Sequence, residues 1–353
     1  MGISRRSLWA VCLAVGVSIP AGASAAAAAG TTDLTTTVQI GQVTNSALTV
    51  RVTVRNTSSS AVDVLSRDLP QTRQTAAVLA VTRDGVPVPY QGRLVKLGAP
   101  DASDYTRIPA GGAYTVTVDL AGDYDLSRPG TFTVNVASTR VRAAKTATLQ
   151  NTSRAATVRT STGIRAAADA PSTAATTTEQ VEVGLAAVSI TYRGCTTSEK
   201  TSLATAVTNA ATMSQKSQTW LAANPSGGGA YTTWFGTYSA SRFSRVTNGY
   251  SKITDELTNK ALTLDCTSNE DYYAYVYPDQ PYIIYLCNAF WTAPATGTDS
   301  KAGTLIHESS HFTVNGGTDD HAYGQTAAKA LAVSSPANAV DNADNYEYFA
   351  ESR

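Results

Sequence analysis

The chain has 353 residues, 42% hydrophobic and 15% charged, with 27 basic and 27 acidic side chains and no net charge. That length admits two domains, and the absence of a basic patch speaks against nucleic-acid binding. The zero hides an asymmetry. Residues 191–353 carry 10 basic and 15 acidic side chains, leaving 17 and 12 for residues 1–190, so the halves bear −5 and +5. Opposite signs suit two parts that dock on each other.

Residues 1–25 read as a secretory signal. Arg5 and Arg6 form its positive start, Leu8 to Ile19 an apolar core too short for a permanent anchor, and Ala23-Ser24-Ala25 a small-residue cleavage site. Ser4-Arg5-Arg6-Ser7-Leu8 matches a twin-arginine export signal loosely. No later stretch is apolar enough to span a bilayer, so the mature protein is expected to be soluble and extracellular, without a membrane partner.

Residues 32–142 read as short strands. Leu48, Val50, Val52 and Val54 alternate with Thr49, Arg51 and Thr53, and the same period recurs through Tyr114, Val116, Val118 and Leu120 and through Phe132, Val134 and Val136. Such alternation buries one face. Turn signals at Asn56-Thr-Ser-Ser, Asp84-Gly85, Gly111-Gly112 and Pro129-Gly130 complete the pattern of a small antiparallel, immunoglobulin-like sandwich. Residues 143–182, rich in Ala, Thr and Ser, read as a linker. Val181 to Tyr192 turns apolar and predicts a strand. Thr196-Thr-Ser-Glu199 is a capping box for a helix to about Trp220. Phe243, Val246, Tyr250, Ile253 and Leu257 mark a second amphipathic helix. Residues 261–287, with Tyr273, Tyr275 and Tyr277 alternating, predict a small sheet whose tyrosines pack.

The most informative stretch follows. Of the three histidines in the chain, His307 and His311 form H-E-x-x-H with Glu308, and His321 lies ten residues on. On a helix predicted from about Asp299 to Val314, the two imidazoles share one face and can bind Zn2+, while Glu308 can reach a water held by the metal. A third protein ligand is required. A histidine six residues beyond His311 is ruled out by Gly317. Glu347 on a later helix, Asp319, Asp320 and His321 all remain candidates, and the Gly316-Gly317-Thr318 turn can swing a short carboxylate back towards the metal.

Gly317, Thr318, Asp320, Tyr323 and Gly324 complete the pattern G-T-x-D-x-x-Y-G after H-E-x-x-H. Here the chain resembles the deuterolysin family of zinc peptidases, the aspzincins. Further runs from Thr191 to Arg353, among them Tyr231-Thr-Thr-Trp-Phe-Gly236, Ala274-Tyr-Val-Tyr-Pro278 and Asn342-Ala-Asp-Asn345, resemble the peptidyl-Lys metalloendopeptidase branch. The resemblance implies Asp320 as the third ligand and Tyr323 as hydrogen-bond donor to the oxyanion. It also implies an acidic pocket for a lysine just after the cleaved bond, at Asp344 and Glu347. These two are one helical turn apart and can face one point, where a paired ammonium relieves their mutual repulsion.

Once Cys12 leaves with the signal, three cysteines remain. The resemblance pairs Cys195 with Cys266. A second bridge would run to Cys287 from the position of Ser268, which has lost its sulfur; pairing of Cys266 with Cys287 is the alternative.

The expected architecture is therefore a signal (1–25), an all-β immunoglobulin-like propeptide domain (26–142), a linker (143–182) and an α+β zincin-like, aspzincin metalloprotease domain (183–353). The expected function is that of a secreted, monomeric zinc endopeptidase made as a zymogen. It would act on protein or peptide substrates, prefer Lys at P1′ and have its own propeptide as partner. Competing readings are a broader deuterolysin-like protease, a zinc amidase acting on cell-wall peptides, and a non-catalytic metal- or ligand-binding module. No lysine lies between Lys145 and Lys200, so a strictly Lys-directed enzyme cannot trim itself at Tyr192.

Overall fold

A computed structural model describes residues 33–138, 140–144, 148–166, 174–184 and 186–353; the expected signal, 1–25, lies outside them. The N-terminal half is built from strands β1 (Leu34–Val43), β2 (Leu48–Asn56), β3 (Val62–Leu65), β4 (Leu79–Arg83), β5 (Val86–Val88), β6 (Leu94–Lys96), β7 (Tyr105–Ile108), β8 (Ala113–Asp119), β9 (Gly130–Val136), β10 (Arg140–Arg142), β11 (Thr148–Arg154) and β12 (Ala156–Thr160). Two sheets, β10-β11-β1-β2-β8 and β12-β9-β4-β5, enclose one core, and β3 pairs with β7. Leu48, Val50, Val52 and Val54 all point into it, as their alternation requires. The sandwich is not purely antiparallel, because β1 runs parallel to β11.

The second half contains β13 (Thr176–Val183), β14 (Ala186–Arg193), α1 (Thr197–Ala223), α2 (Gly229–Phe235), α3 (Ala240–Asn259), β15 (Leu262–Asp265), β16 (Ala274–Val276), β17 (Ile283–Leu286), α4 (Asn288–Thr292), α5 (Lys301–His311), α6 (Gln325–Ser334), α7 (Pro336–Ala339) and α8 (Ala343–Glu351). It has its own core, running from Val183 to Ala350. The capping box at α1 is present: the Thr196 hydroxyl accepts from the Glu199 N–H and the Glu199 carboxylate accepts from the Thr196 N–H at 2.7 Å. Val246, Tyr250, Ile253 and Leu257 of α3 are fully buried. Among the described residues no helix is long and apolar enough to cross a membrane.

Three expectations differ from the structure. Strands β11 and β12, and all of β13 but its last residue, lie within the stretch 143–182 read as a linker: Leu149 and Ile164 supply the few apolar anchors, and backbone pairing does the rest. The strand predicted from Val181 to Tyr192 is a hairpin, turning at Gly184, whose φ is +62°. The helix expected from Asp299 to Val314 is shorter, because Asp299 has a positive φ of 51° and Phe312 leaves helical geometry.

The sheet of the second half has the order β13-β14-β15-β17-β16-β6. Its last strand comes from the N-terminal half. β6 pairs antiparallel with β16, placing Lys96 opposite Ala274, Val95 opposite Tyr275 and Leu94 opposite Val276. Val95 then packs with Tyr275 and Cys287 in a small cluster of its own.

Candidate metal centre

Helix α5 starts at Ser300, whose hydroxyl accepts from the Gly303 N–H at 2.9 Å. Gly303 allows α5 to lie flush on α8: a Cβ there would stand 2.2 Å from Glu351 Oε1 and 3.0 Å from Glu347 Cγ. Every residue from Ala302 to His311 is buried. His307 and His311, one turn apart, present their rings 4.9 Å from centroid to centroid.

After α5 the chain reverses through Gly316 and Gly317, the latter at φ 53°. The Gly317 and Thr318 N–H groups donate back to the carbonyls of Phe312 and Ser310, both at 3.1 Å. Asp319 is then held to the segment before α8 by Asp319 N–H to Asp341 O (2.7 Å) and Ala343 N–H to Asp319 O (3.1 Å). Asp320 turns inward. Its Oδ1 lies 3.3 Å from His307 Nε2 and its Oδ2 3.4 Å from His311 Nε2.

These separations fit a metal. Donors about 2.0–2.1 Å from a tetrahedral Zn2+ stand roughly 3.3–3.4 Å apart. The Nε2 atoms of both histidines and both Asp320 oxygens are buried without a hydrogen-bond partner, as are both oxygens of Glu308. Native interiors rarely leave so many buried polar atoms unpaired. The other ring nitrogens face away from Asp320: His311 Nδ1 is hydrogen-bonded to the Thr318 carbonyl at 2.8 Å, and His307 Nδ1 lies in ion-pair contact with Asp344 Oδ1 at 2.9 Å. Burial opposes ionisation of Asp320, but the two imidazoles outweigh it and hold the carboxyl far below its usual range. Burial pushes Glu308 up to about 7, with the two imidazoles pulling the other way.

The remaining candidates fall elsewhere. Asp319 accepts from the Asp320 N–H, and His321 Nε2 sits 3.1 Å from Asp341 Oδ2. Glu347 approaches the Nδ1 side of His307, at 3.4 Å, rather than the side that faces Asp320. With Asp344 and His307 it forms a second possible ligand cluster, but the space is taken by the ammonium of Lys96.

Lys96 Nζ lies 2.5 Å from Glu347 Oε2, 3.5 Å from Asp299 Oδ1 and 3.7 Å from Asp344 Oδ1. The rings of Tyr273 and Tyr348 flank it, at 5.1 and 5.8 Å. Lys96, Asp344 and Glu347 are all fully buried. Burial alone would lower the lysine pKa, but Glu347, Asp344 and Asp299 together hold it well above the ordinary value. The Tyr323 hydroxyl, whose pKa is raised by burial and by neighbouring Asp320, donates to the Val95 carbonyl at 2.9 Å.

An extracellular protease of Aeromonas hydrophila is 40% identical over 303 residues, 86% of this chain and 87% of its own length. The aspzincin family, described as lysine-specific metallo-endopeptidase, matches residues 220–351. The chain belongs to the aspzincin family. It is a metalloendopeptidase. A peptidyl-Lys metalloendopeptidase of Armillaria mellea is 52% identical over 163 residues, 46% of each chain. A solved zinc peptidase from Grifola frondosa is 49% identical, covers 44% of this chain and 96% of its own, and superposes with a TM-score of 0.43.

Sequence reasoning missed three residues that the structure brings to this cluster: Lys96, Val95 and Asp299. Lys96 left one trace, as one of only two lysines, with Lys145, in residues 1–190. Asp299 lies just outside the helix and is turned inward by its positive φ, which a helical pattern does not reveal.

Two neighbouring features yield predictions. Cys195 and Cys266 form the disulfide, and Cys287 remains a buried thiol whose Sγ lies 3.2 Å from Ser268 Oγ. Ser268→Cys is expected to close a second bridge with Cys287. Closing so short a loop adds about 3 kcal/mol in the chain-entropy account, seen as loss of the titratable thiol and a higher melting temperature under non-reducing conditions.

Glu256 on α3 ties down the end of α5, accepting from Ser309 Oγ at 3.0 Å and Asn315 Nδ2 at 2.5 Å. Burial pushes its pKa up to about 8, from an ordinary 4.5, despite those donors. The folded state therefore holds a proton that the unfolded chain releases. The associated stability is complete below pH 4.5 and is lost as pH rises towards 8, by up to roughly 1.4 kcal/mol per pH unit. Glu256→Gln removes this dependence, so its melting-temperature advantage over wild type grows from pH 4 to pH 8; a constant difference would contradict the assignment.

Proposed function

We propose that the protein is a secreted zinc endopeptidase, made as a zymogen, that cleaves peptide bonds on the amino side of lysine. The observation that carries the lysine preference is the seat of Lys96: a buried ammonium among Glu347, Asp299 and Asp344, with Asp344 also touching the ligand His307. A pocket so tied to the metal site reads the residue next to the reacting bond.

His307, His311 and Asp320 would hold the ion. Zinc held there would supply Lewis-acid chemistry that makes water a nucleophile near neutral pH. Glu308 takes the proton of the attacking water and passes it to the leaving amine. Tyr323 donates to the carbonyl oxygen as negative charge grows on it, as it already does to the Val95 carbonyl. Asp344 keeps the His307 ring oriented, and Thr318 does so for His311.

The N-terminal sandwich is read as an immunoglobulin-like propeptide and residues 1–25 as the export signal. The strand β6 within the catalytic sheet supports the first, since it covers the edge where a substrate would pair. Mapping of cut sites on a denatured protein, with the processed enzyme, tests the function: nearly all cuts should precede lysine and stop with chelator. Cuts spread over many residue types would favour the broader deuterolysin-like reading.

A further inference from the structure

The segment Leu94–Lys96 does more than cover the cleft. It lies there as a substrate would. Its backbone is added as an antiparallel strand on β16, its lysine fills the acidic pocket, and the carbonyl just before that lysine receives the Tyr323 hydroxyl. For an enzyme that cuts before lysine, these contacts put Val95 at P1 and Lys96 at P1′. We propose that the Val95–Lys96 peptide bond is the enzyme's own first substrate, cut within the same molecule to begin activation; this rests on the lysine-pocket reading above.

The flanks hold the bond in register from both halves. On the non-primed side, buried Arg93 at P3 donates through Nε to the Gln74 carbonyl at 3.1 Å and reaches Glu270 at 3.4 Å. On the other side, Arg67 Nη2 donates to the Gly98 carbonyl at 3.3 Å while its guanidinium lies 4.3 Å above the Tyr323 ring. Gly324, at φ 84°, permits the close approach of the next residues: a Cβ there would stand 2.7 Å from Ala99 Cβ. Such fixed placement converts hydrolysis into an intramolecular event.

The reaction is a hydrolysis. The C–N bond between Val95 and Lys96 breaks, the oxygen of one water bonds to the Val95 carbonyl carbon, and a Val95 carboxylate forms. Glu308 carries a water proton to the Lys96 nitrogen, which becomes a free amine. No oxidant or other co-reactant is needed. The chain's other lysine within residues 1–190, Lys145, offers a later site, so trimming need not wait for a bond near Tyr192.

The test uses the full chain, purified with chelator and then given zinc. Intact-mass analysis and N-terminal sequencing should find a new terminus at Lys96 and a partner fragment ending at Val95, formed at a first-order rate independent of protein concentration. Glu308→Gln should stay whole. Lys96→Gln and Lys96→Met should lose this cut by at least about 10²-fold, since each removes one partner of a buried ion pair. All four chains are also given a lysine-containing peptide library. Peptides cut before lysine by a wild-type chain that stays whole at Val95–Lys96 would overturn this inference and leave the lysine pocket standing. Peptides cut without regard to lysine would overturn both.

Discussion

Glu308→Gln is expected to lower kcat/KM on a lysine peptide about 10³- to 10⁴-fold, the upper range for loss of a positioned general base, while leaving one bound metal per chain. The side chain is fully buried, neither of its oxygens has a protein partner, and it sits one residue along from His307. It therefore has no structural bond to lose, and the amide is close to isosteric. Folding should be unchanged. Asp320→Ala should give the opposite signature. Its carboxylate lies between two imidazoles at 3.3 and 3.4 Å, so the variant should lose metal and activity together. Metal analysis on both proteins separates the roles. A Glu308→Gln protein with full activity, or an Asp320→Ala protein with full metal affinity, would end the assignment.

Glu347→Gln should reduce kcat/KM for lysine at P1′ about 10²- to 10³-fold: breaking a buried ion pair costs about 3–5 kcal/mol, and Asp344 and Asp299, still facing the ammonium, hold the loss to the lower part of that range. Peptides with methionine at that position should change little. Asp344→Asn should do more. Its Oδ1 lies 3.7 Å from the Lys96 ammonium and 2.9 Å from His307 Nδ1, and its Oδ2 accepts from the Gly324 N–H at 2.6 Å. It should lose lysine selectivity and, in addition, weaken metal binding by about 10- to 100-fold, the usual cost of losing a group that orients a ligand. Selectivity ratios and metal titrations on the two variants provide the comparison. Equal metal affinity in both would show that the Asp344–His307 contact does not orient the ring.

The asparagines around this pair explain why that segment is placed so well. Asn342 Oδ1 accepts from the N–H groups of His321 and Ala322 at 2.7 and 2.9 Å, and Asn345 Nδ2 donates to the carbonyls of Trp234 and Ala328. The loop carrying Asp320 and Tyr323 is thus fastened to the start of α8. The run Asn342-Ala-Asp-Asn345 was visible in the sequence, but its function as a clasp was not.

What the sequence determined by itself was local. Four-residue spacing puts His307 and His311 on one face of α5, the Gly316-Gly317 turn brings Asp320 back, and the alternation in β2 buries its valines. Each follows from backbone geometry over a few residues. The linker reading of 143–182 failed for the complementary reason: β11, β12 and β13 are held by pairing to distant strands, which local composition does not encode. Only the tertiary structure decided that Lys96 meets Glu347 across 251 positions of sequence, that Val95 meets Tyr323 across 228, and that Asp299 joins their pocket. Those contacts depend on an edge strand crossing from one core to the sheet of the other, and no periodicity within either half records it.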